Sequence, residues 1–396
     1  MNTPRPRRRH DSAAAPHVSM PLGGIGTGNL SISSDGSFRQ WQLHNIGNHA
    51  GALPNSFLSV RVSRIEPPLD VTRVLQARPT GPEPTPLVTD ADVPQWMHTI
   101  FDVAEPMAQS SFSAIYPAAT VELTDPAVPL KITVEALNPL VPSDTAVSSL
   151  PVVMLTITLV NADDLPLHGT LGAAQQNPVG WDGVSPIDGV FGAGYGGNDN
   201  RTDRRDGWTS LVMDNVVLPD GDPGQGQFVV AVDSADAAVL PQWRTAQEWF
   251  AFLGSRALAS GAGRLSLDRT PADSQRHAGR SALGPSGPGA TWNGGIGAPF
   301  HLEPGQTTTV RVLLAWTFPH RYVNFEQFGP ERPEWGSSRF WLGNHHTGVH
   351  PDARSVRDDV VGRWDTLWDS THRWVDTFAE SSLEAAPPNT WQPSCR

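Results

Sequence analysis

The sequence predicts a mainly β protein, a large antiparallel β-sandwich of two stacked sheets followed by a C-terminal amphipathic helix. The chain of 396 residues holds 14 Trp and 14 Phe beside 37 Gly and 37 Pro without a repeating period. That composition suits many short strands joined by turns around a ring-rich core. Short apolar runs, several alternating with period two, recur along most of the chain with no helical block between them, as two antiparallel sheets packed face to face require. Only from Asp352 onward does the apolar spacing lengthen to three or four residues.

Each element follows in order. Arg5, Arg7, Arg8, Arg9 and His10 stand among prolines with no apolar stretch behind them, so residues 1–18 read as a disordered basic leader and not a secretion signal. Asn29 to Ile32 and Phe38 to Leu43 flank Ser34-Asp35-Gly36, and Asp-Gly between two strand-like runs signals a hairpin. Further strands are predicted at Phe57 to Ile65, Ala119 to Leu123, Leu130 to Leu137, Val152 to Val160, Leu211 to Leu218, Phe228 to Val232 and Thr307 to Phe318. From Lys131 to Leu137 every second residue is apolar, which gives one buried and one wet face. Val152 to Val160 is more uniformly apolar, with Thr156 and Thr158 on one side.

Pro178 to Gly207 and Ser255 to Gly297 are rich in Gly, Asp, Arg and Ser and read as long excursions from the sheets, a kind of loop that is often functional. Between them, Thr245 to Leu258 fits a short surface helix. From Asp352 to Glu380, Val356, Val360, Trp364, Leu367, Thr371, Trp374 and Phe378 form an apolar stripe, the mark of one amphipathic helix of about seven turns. Arg354, Arg357, Asp358, Asp365 and Asp369 lie mostly off that stripe. The pattern then gives way to Pro387, Pro388, Trp391, Pro393 and Cys395, so residues 381–396 read as an aberrant tail from a shifted reading frame or an early stop.

The net charge of -12 argues against a nucleic-acid partner, whose phosphates most of the surface would repel. No window approaches the roughly 20 apolar residues of a membrane span, and the expectation is a soluble, cytoplasmic chain with no transmembrane segment. The single Cys395 excludes an intramolecular disulfide.

Gly23-Gly24-Ile25-Gly26-Thr27-Gly28 first suggests a phosphate loop. It lacks the Gly-Lys-Ser/Thr of a nucleotide loop, and the hairpin behind it replaces the helix of a dinucleotide fold. The remaining explanation is a tight chain crossing where only Gly fits. This loop, the strand Leu30 to Ile32, the turn Asp35-Gly36 and the aromatic strand Phe38 to Gln42 resemble, in that order, the opening of family 116 glycoside hydrolases, the family of the non-lysosomal glucosylceramidases. The resemblance continues through Tyr116-Pro117, through Asn138-Pro139-Leu140-Val141-Pro142 and through Ser149-Leu150-Pro151, over about residues 19 to 380.

The resemblance implies an N-terminal β-sandwich over 19–340, then a linker and the first helix of a truncated (α/α)6 barrel over 341–380. It also implies retaining hydrolysis of β-glucosides or glucosylceramide by two carboxyl groups about 5 Å apart, both belonging to the barrel. The β-glycoside or glycolipid substrate would then be met only through that missing barrel. Gly23 to Gly28 and Pro178 to Gly207 are the loops expected at the rim of the active site.

Asp182, Glu303, Glu326 and Glu334 stand near aromatic residues in sequence; none is taken as catalytic. His345, His346 and His350 form a cluster before the helix, and Asp199, Asp203 and Asp206 lack the spacing of a calcium loop. No metal site and no cofactor is assigned, and no substrate-binding residue is singled out. Three functional classes stay open: a supporting portion without the catalytic half, a free-standing carbohydrate-binding module, and a complete glycosidase using acids of the sandwich. The stripe of the C-terminal helix, if stripped of barrel partners, would favour self-association.

Overall fold

The computed structural model describes residues 9–11, 18–44, 53–78, 100–182, 187, 189–255, 283–324 and 339–380. Two sheets make the body. The larger has nine strands in the order β1-β8-β9-β10-β11-β18-β15-β14-β13: β1 (Arg9–Asp11), β8 (Gln109–Ile115), β9 (Ala118–Thr124), β10 (Leu130–Leu137), β11 (Val152–Asn161), β18 (Thr307–Thr317), β15 (Gln227–Val232), β14 (Trp208–Asn215) and β13 (Asn198–Arg205). Every neighbouring pair in it is antiparallel. The smaller has the order β16-β17-β12-β5-β6-β7, from β16 (Ala238–Trp243), β17 (Asn293–Leu302), β12 (Leu167–Gln176), β5 (Phe57–Arg64), β6 (Leu69–Ala77) and β7 (Pro106–Met107).

A third sheet joins β2 (Ser19–Leu22), β3 (Asn29–Ser33) and β4 (Phe38–Gln42). The hairpin expected at Asp35-Gly36 is present: buried Asp35 accepts from the Ser37 backbone N–H at 2.9 Å and from its hydroxyl at 2.6 Å, and pairs with Arg39. A short ribbon joins β19 (Tyr322–Asn324) and β20 (Arg339–Trp341).

Side-chain alternation explains the layering. On β11, Val153, Leu155, Ile157 and Leu159 point into the core between the sheets; on β18, Val310, Val312, Leu314 and Trp316 do the same. The opposite faces of these strands are also apolar in part. Val152, Met154, Val229, Ala231, Leu313 and Ala315 form a second cluster outside the nine-stranded sheet. Helix Ala353–Gly362 and helix Trp364–Ala379 cover it with Ala353, Val356, Val360, Trp364, Leu367 and Val375, each buried. A third cluster lies outside the six-stranded sheet, where helix Ala246–Leu253 sets Trp249 and Leu253 against Phe57, Val74 and Trp243.

Four expectations change. Residues 9–11 of the basic leader form the edge strand β1, paired with β8; the rest of the leader up to residue 17 and the tail from 381 lie outside the described residues. The C-terminal helix is two helices, interrupted at Arg363, and the boundary drawn at 340 falls within β20. Its apolar stripe is not bare, because Val356, Val360, Trp364 and Leu367 rest on the sheet. The two long excursions are shorter than expected, since β13 and β17 occupy their C-terminal parts.

Buried Arg357 pairs with Asp203 of β13 at 2.6 Å and with Asp358 at 2.7 Å, and Arg205 reaches Asp358 at 2.7 Å. The Thr371 hydroxyl accepts from the Leu140 N–H at 3.1 Å. Asp352 caps the first of these helices, accepting from the Ser355 N–H at 2.8 Å, so the helix begins where the sequence placed it.

Candidate functional site

The loops named as rim candidates gather at one end of the sandwich. Gly23 to Gly28 runs between β2 and β3 across the segment Ser148 to Leu150, and the Ile25 N–H donates to the Ser148 carbonyl at 2.8 Å. A Cβ on Gly24 would stand 2.3 Å from the Leu150 carbonyl oxygen, and one on Gly28, whose φ is +89°, 2.3 Å from that of Gln42. Both approaches exclude any other residue, so the run is a chain crossing. The Thr27 carbonyl accepts from the indole N–H of buried Trp316 at 2.7 Å, which ties the loop to the core. The Ile25 side chain is left exposed at the tip.

Beside this crossing, the His44 Nε2–H donates to the Pro178 carbonyl at 2.8 Å, and the His44 ring lies 4.5 Å from Phe318 and 5.7 Å from Trp181, centre to centre. Burial pushes His44 down to about 4, against the smaller opposite pull of the Pro178 carbonyl. The bond to Pro178 places the proton of the neutral ring on Nε2 and leaves Nδ1 as a bare acceptor. His44 was not singled out from the sequence. Its one available signal was position, two residues beyond the aromatic strand β4 and before a stretch without apolar periodicity.

Asn177 opens the excursion. Its amide donates to Asn200 Oδ1 at 3.0 Å and to the Asp214 carbonyl at 3.1 Å, and its Oδ1 accepts from the Val179 N–H at 2.9 Å. The two excursions then clasp each other: the Thr291 N–H donates to Val190, the Gly289 N–H to Tyr195 and the Gly197 N–H to Ser286, at 2.7–2.9 Å. The Tyr195 hydroxyl is buried among them, and burial raises its pKa well above the ordinary phenol value. Burial in this end therefore holds His44 and Tyr195 in their neutral forms.

The sequence-named acids do not converge. Asp182 is exposed on the excursion beside Gly194. Glu303 is exposed just past β17, where His301 Nε2 stands 3.1 Å from its Oε1. Glu326 and Glu334 lie outside the described residues. On β13, Asp199 is buried and Asp203 is taken by Arg357, while Asp206 stands beyond the strand, 3.3 Å from Arg205.

His345 stays on the surface, whereas His346 turns inward in helix His345–Val349 and His350 faces Asp359 at 3.7 Å. Burial, with His350 and His345 adding to it, lowers His346 to about 4. Among the described residues no three His, Cys, Asp or Glu side chains are arranged to hold one metal ion, and no helix is long and apolar enough to cross a membrane.

A pH dependence follows. Unfolded histidine titrates near 6.5, and both His44 and His346 titrate near 4 when folded. Between those values the unfolded chain takes up protons that the folded chain refuses. Their contribution to stability is therefore complete above pH 6.5 and is lost as the pH falls towards 4, by about 1–3 kcal/mol per histidine. Urea melts of the wild type and of His44→Phe at pH 7.0, 5.5 and 4.0 should show a shallower decline in the variant. Parallel declines would contradict the burial assigned to His44.

A comparison with curated proteins finds no match. Among solved structures, the chain matches a protein described as a kojibiose phosphorylase, from the human microbiome, at a TM-score of 0.37 and 8% sequence identity. The match covers 90% of this chain and 35% of that one, so the chain spans about a third of its length. The family model described as beta-glucosidase 2, glycosyl-hydrolase family 116 N-term, matches residues 19–367, and the chain belongs to that family.

Proposed function

We propose that this chain is the N-terminal, non-catalytic portion of a retaining glycoside hydrolase of β-glucosidase or glucosylceramidase type, supporting a catalytic barrel that supplies both carboxyl groups. The observation that carries the reading is the disposition of the acids. Retention needs two carboxyl groups about 5 Å apart. Asp182 lies on the excursion that clasps the Asn293 end of β17, and Glu303 stands past the opposite end of that ten-residue strand, about 30 Å away at the rise of an extended chain.

Other acids of the sandwich are held by arginines: Asp35 by Arg39, Asp163 by Arg64, Asp125 by Arg73 and Asp203 by Arg357. A second reading, a free-standing carbohydrate-binding module, is favoured by Trp341, whose large ring is 61% exposed and available to stack on a sugar.

A chromogenic β-glucoside incubated with the purified chain separates these readings from a complete enzyme. The expected rate equals the protein-free blank. Turnover abolished by Asp182→Asn or by Glu303→Gln would overturn the proposal. Titration of the intrinsic Trp fluorescence with glucose and cellobiose then distinguishes an inert support, with no saturable change, from the module, with a saturable change that Trp341→Ala removes.

A further inference from the structure

Far from the loop end, the outer face of the six-stranded sheet holds two histidines directly opposite each other. His168 of β12 and His301 of β17 are register partners, both exposed. Their Nδ1 atoms lie 3.2 Å apart and their ring centres 4.3 Å apart. The Nε2 atom of His301 stands 3.1 Å from Glu303 Oε1, and the Glu303 N–H is itself anchored on Gln306 Oε1 at 2.9 Å.

Two imidazole nitrogens bound to one transition-metal ion at about 2.0–2.1 Å are about 2.9 Å apart when they meet at a right angle and about 3.4 Å apart when they meet tetrahedrally. The observed separation falls between these values. With Glu303 accepting the Nε2–H of His301, the bare lone pair of that ring is on Nδ1, the atom that faces His168; a carboxylate behind a histidine is the usual outer partner of a metal ligand.

We propose that His168 and His301 form a surface site for a divalent transition-metal ion, with Glu303 as the positioning residue that fixes the tautomer of His301. The remaining coordination positions face solvent and take water. Two nitrogen donors favour copper most, then nickel and zinc, over the oxygen-seeking calcium and magnesium. The cross-strand register supplies the geometry before any ion arrives, so the site depends on the folded sheet and not on a barrel.

The test is a titration of the full chain with Cu2+, followed by calorimetry and by the nitrogen splitting of the copper electron paramagnetic resonance spectrum. One ion should bind with a two-nitrogen pattern. His168→Ala and His301→Ala should each weaken binding more than tenfold and erase that pattern; Glu303→Gln should weaken it about tenfold while keeping two nitrogens. The double variant His345→Ala, His350→Ala should bind as the wild type does. All three histidine and glutamate positions are exposed, and metal-free melting curves of the variants should overlay the wild type. Binding of equal strength in the wild type and in both single histidine variants would overturn the proposal, as would a two-nitrogen spectrum that only the His345, His350 double variant loses.

Discussion

Removing residues 352–396 is expected to lower the melting temperature by about 10 °C or more, and to leave a sandwich that aggregates instead of a cleaner monomer. The sequence alone points the other way, because a stripe read as the seam of a missing barrel should be dispensable to the sandwich. The structure places Val356, Val360, Trp364, Leu367 and Val375 on the outer face of the nine-stranded sheet, with Trp364 5.4 Å from Trp208, ring centre to ring centre. Five such side chains at about 1.5–3 kcal/mol each amount to as much as about 15 kcal/mol of burial, an upper bound set by the extended reference chain. A domain is stable by about 5–15 kcal/mol in all, so even half of that loss is severe. The deletion also strands Asp203 without Arg357 and bares Val229, Ala231, Leu313 and Ala315. A thermal melt with size-exclusion chromatography and light scattering on both chains decides the matter. Unchanged melting and a clean monomer after deletion would mean that the helices do not belong to this core.

The second large effect is expected at Trp249. Its ring lies over β12 and β17, 6.0 Å from Trp243 and 5.5 Å from Phe252, and its indole N–H donates to Ser59 Oγ at 3.3 Å. The contact exists because the strands carry no side chain beneath it. A Cβ on Gly295 would fall 2.3 Å from the ring and one on Gly172 2.8 Å from it. Trp249→Ala should therefore cost about 3–5 kcal/mol through the cavity it opens. Gly295→Leu should cost a comparable amount by forcing the helix off the sheet. Urea unfolding followed by far-ultraviolet circular dichroism measures both. A loss below about 1 kcal/mol for either variant would contradict the packing of this helix.

These glycines also mark where the sequence was opaque. β10, β11, β15 and β18 were legible because each offers a run of apolar residues at strand length, and the hairpin because Asp-Gly has a turn chemistry of its own. β12 and β17 were not, since Gly and polar residues interrupt the apolar pattern of Leu167–Gln176, which drew no assignment, and of Asn293–Leu302, whose first half fell in the segment read as an excursion. A glycine inside a strand often means that another element comes close, and here that element is Trp249. The uniformly apolar Val152 to Val160 held the other signal. A strand buried on one face alternates, whereas one buried on both does not, and Val152 and Met154 meet the C-terminal helices while Thr156 and Thr158 lie beyond their cover.

Of the loop end, the tightness of Gly23 to Gly28 could be read from composition. The partners of His44 could not, because Pro178 and Phe318 reach it from far along the chain. The stripe from Val356 to Leu367 told which residues of the helix are buried and not what buries them. Periodicity describes one surface of a contact, and the break at Arg363 left it undisturbed.

The claim that this portion carries no hydrolytic centre is tested most directly by trapping. A retaining glycosidase forms a covalent glycosyl bond to its nucleophilic carboxylate, and a 2-deoxy-2-fluoro-β-glucoside with a good leaving group arrests it there. The purified chain incubated with an excess of that reagent should show an unchanged intact mass. A mass increase of one fluoroglucosyl group, mapped by peptide digestion to a carboxylate of this chain, would contradict the account.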